Sequence, residues 1–334
     1  MDKTKDSVEE AWEGGDKPFN ASYGKLMMWF FLITDALTFS GFLAAYGFSR
    51  FKYPEFWPNP EDVFTHFPFL HGDHPLLFVA LMTFILIMSS VTMVLAVNYG
   101  HKMQKDKVIL WLSITIVGGA IFLGSQAWEW GHFIHGDKAG IDTKTEYVVH
   151  IAEGQKLSSV YKLMEIDKYD FDSDQLIFEK NSYRKTCKVC KTPNLDVNIN
   201  SISKKCLDSI TVKKIVNLLR ENPKYNIRKS NREYLSNFES INYLESNATE
   251  VLLGAGLAKN EYGHRLFADY FFFITGFHGL HVFSGVVLLI IILINVVKGT
   301  YERRGHYEMV EKIGLYWHFV DLVWVFVFTF FYLV

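Results

Sequence analysis

Two histidines with the spacing of ligands or of hydrogen-bonding partners, His278 and His281, lie within the apolar run of residues 270–285. Side chains three positions apart project from one side of a helix. Ionisable groups at membrane depth are costly and usually belong to a site or pair with one. One interpretation is a metal or haem ligand pair, and the other is a pair hydrogen-bonded within the helix packing.

The surroundings of these histidines argue against a redox centre on this chain. Two histidines one turn apart on a single helix cannot bind opposite faces of one haem. The chain has neither a Cys-x-x-Cys-His run nor the dispersed set of histidines that a haem-copper centre needs. We therefore expect no haem, copper or other metal on it. Gly276, Gly279 and Gly285 flank the pair and predict the close approach of another helix or of a lipid chain.

Two aspartates lie inside other apolar runs. Asp35 stands about eight residues into the first run, or about 12 Å from its end at helical rise. An isolated carboxylate there must be protonated or have a partner, and we expect Asp35 to face His281 or a lipid headgroup. Asp321 lies at a similar depth in the last run, where His318 one turn earlier can reach it. Such groups either join helices or handle protons, and both interpretations stay open.

Gln126 and Glu129 stand at the end of the third apolar run, beside Trp128 and Trp130. Tryptophan favours the membrane–water interface, where a charge costs less than at the bilayer centre. We therefore expect Gln126 and Glu129 to be interfacial, with Glu129 anchoring the end of the helix.

Three cysteines, Cys187, Cys190 and Cys206, lie outside the apolar runs. The Cys-x-x-Cys spacing is that of half a zinc knuckle or of a redox pair. Its second half is missing, so a metal site would need a remote histidine such as His150 as fourth ligand. In an external compartment a disulfide between two of the three is the expected state, with a metal site or free thiols as alternatives.

Five apolar runs, at residues 27–48, 75–97, 108–128, 266–297 and 314–334, are each long enough to cross a bilayer as a helix. The N-terminus lacks the short basic and apolar pattern of a cleaved signal, so we expect the first run to be an uncleaved anchor. The second and fourth connections carry more Lys and Arg than the first. The positive-inside rule then predicts a cytoplasmic N-terminus and an external C-terminus.

The polar segment of residues 131–263 separates the third run from the fourth and is external by this topology. Ser209 precedes an amphipathic run that stops before Pro223, which predicts an N-capped helix. Its apolar face is predicted to comprise Val212, Ile215, Val216 and Leu219. Alternation over residues 195–200 and the apolar residues 176–178 predict short strands. We expect a soluble α+β domain.

The fold class predicted from these patterns is an all-α integral membrane protein with five transmembrane helices and a soluble α+β external insertion between helices three and four. The expected division is a cytoplasmic tail over residues 1–24, three helices over 25–130, the insertion over 131–263 and two helices over 264–334.

Four runs together resemble subunit III of the haem-copper cytochrome c oxidases, and the likeness extends over all five spans. They are Gly-Phe-His-Gly-Leu-His-Val at 276–282, Tyr-Trp-His-Phe-Val-Asp at 316–321, Gln-Ala-x-Glu at 126–129 and Ile-Thr-Asp at 33–35. Asp35 matches a position where this family usually has an intramembrane glutamate. Glu311, seven residues before His318, matches the start of the family's last helix, and we expect it at the interface.

The resemblance implies a non-catalytic core subunit of a proton-pumping cytochrome c oxidase in the inner (plasma) membrane of a bacterium. Haem and copper would lie in partner subunits, and this chain would brace the catalytic subunit, bind phospholipid and support proton uptake. The expected partners are oxidase subunits I and II and membrane phospholipid, with no nucleic acid. The intramembrane polar residues that would serve lipid or protons are Asp35, His278, His281, His318 and Asp321.

Two departures from the family bear on this expectation. Many members have seven helices, whereas this chain begins at what resembles their third, so the other wall of the family's lipid-filled cleft would come from another subunit or from lipid. The insertion replaces a short connection, and we expect it to dock a cytochrome c or an adjoining respiratory complex. The alternatives are a subunit of a quinol oxidase or nitric oxide reductase, or a membrane transporter or receptor with an external binding domain.

Overall fold

The computed structural model describes residues 22–68, 74–136, 138–145, 148–163, 166–170, 175–178, 201–256 and 258–333. Within them, five helices are long and apolar enough to cross a membrane, which confirms the five predicted spans. They are α1 (Tyr23–Lys52), α3 (Leu77–His101), α4 (Lys105–His135), α8 (Arg265–Val297) and α10 (Glu308–Val327), the last continued by a π-helical segment (Phe328–Leu333). The shorter helices are α2 (Pro60–Val63), α5 (Val160–Leu163), α6 (Lys204–Glu221), α7 (Asn237–Asn247) and α9 (Thr300–Arg304).

The chain forms two compact units. The first contains the described residues up to Leu43 together with Thr83–Leu123 and Phe277–Phe326. The second contains Ala44–Met82, Gly124–Gly276 and the described residues from Val327 onward.

Helix α4 continues to His135, well beyond the end of the apolar run that predicts it. On one side of its last turns Phe133 is buried in protein, while His132 and His135 are exposed. Phe133, 3% exposed, stacks on Tyr262 with ring centroids 4.5 Å apart and contacts Phe271 at 4.2 Å.

Two antiparallel sheets lie between α4 and α8. Their strands are β1 (Gly140–Thr143), β2 (Val148–Glu153), β3 (Lys156–Leu157), β4 (Ile166–Asp170), β5 (Gln175–Phe178), β6 (Ser201–Ser203), β7 (Tyr225–Lys229) and β8 (Ala248–Leu252). In the larger sheet β1 pairs with β2 and β8, and β2 also pairs with β3 and β7. The smaller sheet has the order β4-β5-β6.

The larger sheet and helices α6 and α7 enclose a hydrophobic core, so the predicted α+β insertion is confirmed. Ile215, Val216 and Leu219 of α6 are buried there and Val212 packs at its edge, as the predicted apolar face requires. Helix α6 begins at Lys204, so the predicted N-cap at Ser209 is wrong. Residues 204–208 include Lys and Leu, which favour helix and extend it backward.

Two strand predictions and the predicted state of the cysteines concern the rest of the insertion. The predicted strand at 176–178 is present as β5. Residues 195–200, Cys187 and Cys190 lie outside the described residues, and Cys206 lies in α6 with its side chain outside them. Helix α7 is fixed by a reciprocal capping box between Ser236 and Glu239.

Candidate functional site

Asp35 of α1 and His281 of α8 form a contact within the first unit. Asp35 Oδ2 lies 3.1 Å from His281 Nε2, and the side chains are 15% and 13% exposed. The expected contact of Asp35 with His281 is therefore present. His281 Nδ1 lies 2.8 Å from the carbonyl oxygen of Phe277, which can only accept, so Nδ1 carries a proton.

A proton placed between Asp35 Oδ2 and His281 Nε2 has two possible positions. If that proton is on Nε2, the ring is an imidazolium beside a carboxylate. If it is on Asp35, the neutral carboxyl group donates to Nε2. The 3.1 Å separation of Asp35 Oδ2 and His281 Nε2 allows either position of the proton.

His278 points to a different helix from His281. Its ring is fully buried, and Nε2 lies 3.1 Å from the carbonyl oxygen of Val320 in α10. Trp324 and Phe122 pack on the ring, with centroid distances of 5.1 and 5.8 Å. The two histidines therefore do not converge on one ligand. They join α8 to α10 and α1, respectively.

His318 does not pair with Asp321, so that expected contact is wrong. His318 Nδ1 lies 2.7 Å from Ser90 Oγ of α3, and no hydrogen bond or ion pair joins His318 to Asp321 in the described part of the chain. Trp317 Nε1 donates to Ser89 Oγ at 3.1 Å. Two consecutive serines on α3 thus meet two consecutive side chains on α10. The hydrogen bond between His318 and Ser90 of the neighbouring helix therefore takes the place of an interaction with Asp321 on the same helix.

Glu129 is buried among protein side chains in the second unit, and its location at the membrane interface stays a prediction. The residue is 5% exposed, and Gln126 is equally buried. Gln126 Nε2 donates to Glu129 Oε2 at 3.0 Å, and the hydroxyl of Tyr332 donates to the same oxygen at 3.2 Å. The C-terminal segment supplies the partner that makes burial of Glu129 possible.

Glu311 lies in the first turn of α10, where its carboxylate faces the positive end of the helix dipole. Lys25 Nζ of α1 lies 2.8 Å from Glu311 Oε1, and both side chains are about a quarter exposed. The position of Glu311 at a membrane interface stays a prediction. The pair ties the start of α1 to the start of α10.

The glycines near the histidines differ in their surroundings. A β-carbon on Gly276 would lie 3.0 Å from Trp130, and one on Gly285 would lie 3.0 Å from Trp317. One on Gly279 would meet nothing within 4 Å. The close approach predicted from the glycines therefore occurs at Gly276 and Gly285.

The second unit also contains a cluster of charged residues that no sequence pattern predicts. Arg228 of β7 is 7% exposed, and its Nη2 donates to Asp62 Oδ2 of α2 at 2.9 Å. Burial alone would raise the pKa of Asp62, but Arg228, helped by Asn59 and Lys138, holds that pKa below its ordinary value. The residues are far apart in sequence and neither forms part of a motif, so no local signal indicates their pairing.

His150, considered above as a remote zinc ligand, belongs to this cluster. It is paired with Arg228 across β2 and β7, and its Nε2 donates to the carbonyl oxygen of Glu261 at 2.8 Å. Burial, and then the charge of Arg228, lower the pKa of His150 to about 4. Among the described residues, no three His, Cys, Asp or Glu side chains are grouped as metal ligands would be.

Comparison with known proteins connects the C-terminal helices to one family. The sequence model described as "Cytochrome c oxidase subunit III" matches residues 257–334, which include His278, His281, His318 and Asp321. The chain is 40% identical over 88 residues to "Cytochrome c oxidase subunit 3" of Thermostichus vulcanus, covering 25% of this chain and 39% of that protein.

Two other relatives of the same printed name show the same partial coverage. The protein of Synechocystis sp. (strain ATCC 27184 / PCC 6803 / Kazusa) is 48% identical over 69 residues, covering 20% of this chain and 29% of the relative. That of Mus musculus is 41% identical over 64 residues, covering 19% and 24%. The matched part of this chain thus spans well under half the length of these relatives. Over residues 257–334, the chain is similar to the cytochrome c oxidase subunit III family.

Proposed function

We propose that this chain acts as subunit III of a proton-pumping cytochrome c oxidase in the inner membrane of a bacterium. The observation that supports this most strongly is the family match over α8 and α10, which includes both histidines of α8. In this proposal the chain carries no redox centre. Haem and copper lie in partner subunits I and II, which reduce O2 to water.

The first part of the proposed role is to brace the catalytic subunit and to bind phospholipid. Helix α1 supports this because it presents a broad apolar face to its surroundings, with Trp29 54%, Phe30 55% and Leu37 68% exposed. Such a face must be covered by lipid or by another apolar surface. Lipid and a neighbouring subunit together would supply that cover.

The second part is to support proton uptake. The pair of Asp35 and His281 supports this because Asp35 Oδ2 and His281 Nε2 are close enough to pass a proton between them, and both side chains are partly exposed. A group with these properties beside a catalytic subunit can pass a proton to it or receive one. His278, whose ring is enclosed by Trp324 and Phe122, would instead hold α8 against α10.

Affinity purification of the tagged chain from its own membranes in mild detergent tests the proposal. We expect native mass spectrometry to detect subunits of an oxidase, the visible spectrum to show haem, and the assembly to oxidise cytochrome c. A control purification after dissociation should yield the separate chain without stoichiometric haem or copper.

The same experiment distinguishes the alternatives. An assembly that oxidises quinol but not cytochrome c, or that reduces nitric oxide, assigns the chain to the corresponding oxidoreductase. A stable haem-free assembly that binds a solute would contradict the proposal and favour a transporter or receptor.

A further inference from the structure

A small cavity lies in the second unit, where α2, the end of α4 and the insertion meet. Its volume for water-sized occupants is about 50 Å³. One water needs about 10–15 Å³ on such a measure, so the cavity has room for several. The ionisable side chains in its wall include those of Asp62, Glu129, Lys138, His150, Arg228 and Glu261.

Three polar atoms of residues in this wall are buried and have no hydrogen-bond partner within the described chain: Glu129 Oε1, His150 Nδ1 and Arg228 Nε. The other polar atoms of the same side chains are bonded. Glu129 Oε2 accepts from Gln126 and Tyr332, and Arg228 Nη2 donates to Asp62. Buried polar atoms are nearly always bonded to protein or to ordered water, so three such atoms around one cavity indicate a polar occupant.

The chemistry of the three atoms specifies an occupant that both donates and accepts. His150 Nε2 donates to the carbonyl oxygen of Glu261, so Nδ1 of the neutral ring is an acceptor. The low pKa of His150, about 4, agrees with a neutral ring. Arg228 Nε–H is a donor.

The fixed charges of the wall favour neither an anion nor a cation. Arg228 is matched by Asp62, to which it donates. The Glu261 carboxylate accepts from the backbone N–H groups of Lys138 and Gly254, and the Lys138 ammonium group donates to the carbonyl oxygen of Asp62 at 3.1 Å. Water is the neutral molecule that fits the volume and satisfies donors and acceptors together.

Two further histidines connect the cavity to the surface. His66 is half-buried and His132 is exposed, and both line the same cavity. Their ring centroids are 5.2 Å apart. His132 lies one turn after Glu129 on α4, so both project from the same side of that helix. Imidazole both accepts and donates protons, which suits it to relay them.

We propose that this cavity is a hydrated proton-exchange site that connects the Glu129 carboxyl group to the aqueous side on which the insertion lies. Water in the cavity bonds to Glu129 Oε1, His150 Nδ1 and Arg228 Nε. A proton passes from the Glu129 carboxyl group to a water oxygen and then to an imidazole nitrogen of His66 or His132, leaving a carboxylate. The reverse steps restore it. The inference concerns Glu129 and does not depend on the oxidase role.

Infrared spectroscopy of the full protein in lipid nanodiscs tests the exchange directly. The carboxylic C=O band of Glu129 is identified by its loss in Glu129→Gln, at a pH low enough to protonate the group. After transfer to D2O we expect this band to shift within the mixing time. A band that stays unshifted over hours in the native protein overturns the proposal.

A substitution that fills the cavity tests the route. Val79 lies in the cavity wall on α3 and is 1% exposed, so Val79→Phe places a ring where water would lie. We expect exchange to slow by about tenfold or more, because closely packed interiors admit few waters. Val91→Phe on the same helix is the matched control, since Val91 is 48% exposed, and should exchange at the native rate. Equal rates in native protein and Val79→Phe exclude this route.

A second measurement covers the case in which Val79→Phe does not fold. A cryo-EM map of the native protein at a resolution that shows water should contain ordered density within hydrogen-bonding distance of Glu129 Oε1, His150 Nδ1 and Arg228 Nε. A dry cavity in such a map contradicts the proposal.

Discussion

Asp35 Oδ2 of α1 lies 3.1 Å from His281 Nε2 of α8. The pair joins two helices that are far apart in sequence, and it does so at a position where neither side chain is fully covered. One protonation form has two opposite charges and the other has none, yet the same two side chains are in contact in both. The pair can therefore both hold α1 against α8 and carry a proton, and substitutions can distinguish these two roles.

Removing the interaction between Asp35 and His281 should destabilise the protein modestly. We expect Asp35→Leu to lower the free energy of unfolding by about 1 kcal/mol, the usual range for polar contacts between membrane helices. Asp35→Asn should lose less, because its amide nitrogen can donate to the unprotonated Nε2 of His281. Thermal unfolding in detergent followed by circular dichroism measures both. Equal stability of native protein and Asp35→Leu would show that the contact contributes nothing.

Asp35→Asn also tests the proposed role of the site. This variant keeps a hydrogen-bonding group and removes the transferable proton. In the native assembly it should weaken retention of lipid and of the neighbouring subunit while leaving the haem spectrum intact. Unchanged lipid content, subunit yield and turnover lifetime would make the assigned role wrong.

Two glycines of α4 should respond differently to the same substitution. A β-carbon on Gly119 would lie 2.6 Å from the ring of Trp317 and 2.8 Å from Val286, whereas one on Gly124 meets nothing within 4 Å. We expect Gly119→Ala to lower the free energy of unfolding by about 1–3 kcal/mol through overpacking. Gly124→Ala should be neutral or stabilise by up to about 1 kcal/mol through helix propensity. Comparable melting temperatures of the two variants would contradict the close packing at Gly119.

His150 should make the stability of the insertion depend on pH. The folded state keeps its ring neutral down to about pH 4, whereas the ordinary value in an unfolded chain is 6.5. Between these values the unfolded state binds more protons, so the free energy of unfolding falls as the pH falls. This contribution reaches about 1.4 kcal/mol per pH unit at most.

Denaturant unfolding at a series of pH values measures the contribution of His150. His150→Asn should flatten the slope between about pH 6.5 and pH 4. His101→Asn, at a residue whose side chain is 64% exposed, is the control and should keep the native slope. The same slope in native protein and His150→Asn would show that the ring is not held neutral.

The insertion is expected to dock a partner rather than to support the membrane helices. Deleting residues 143–247 joins Asp142 of β1 to Ala248 of β8 through a short flexible linker. The linker has only a short distance to span, because β1 and β8 are neighbouring strands in which Thr143 pairs with Ala248 and Asp142 with Glu250. Haem spectra and oxidase assembly should persist, while coupling to the electron donor or supercomplex yield should fall.

Two controls make the deletion interpretable. The deletion removes Arg228, so it is combined with Asp62→Asn to avoid leaving the Asp62 carboxylate without its partner. The same linker placed after Gly154, which lies in a turn with open space, retains the insertion and should behave as native protein. Loss of the five-helix core, or a deletion without effect on coupling and association, excludes the docking role.

Features that depend on local pattern could be predicted from the sequence. The five spans follow from the length of their apolar runs, and the buried face of α6 follows from the spacing of Ile215 and Leu219. The contact between Asp35 and His281 could be predicted because both are ionisable groups in apolar runs at comparable depth. Such groups have few candidate partners.

Features that depend on long-range packing could not be predicted. Glu129 is buried because Tyr332, far along the chain, donates to it. The tryptophans beside Glu129 indicate an interface equally well. His318 bonds to Ser90 instead of Asp321 because of how α3 and α10 meet. No periodicity or spacing reports such a match.

Strands β1 and β8 lie at opposite ends of the insertion sequence and yet are neighbours in its sheet. During synthesis β1 leaves the ribosome with α4, and β8 follows only after every other strand and helix of the insertion. The edge of β1 that β8 covers therefore remains open for most of the time that the insertion takes to emerge. Open strand edges attract other chains, so this interval is the period of greatest aggregation risk in biogenesis. A chaperone that holds the nascent β1 edge should raise the yield of the full-length chain but not of the chain lacking residues 143–247.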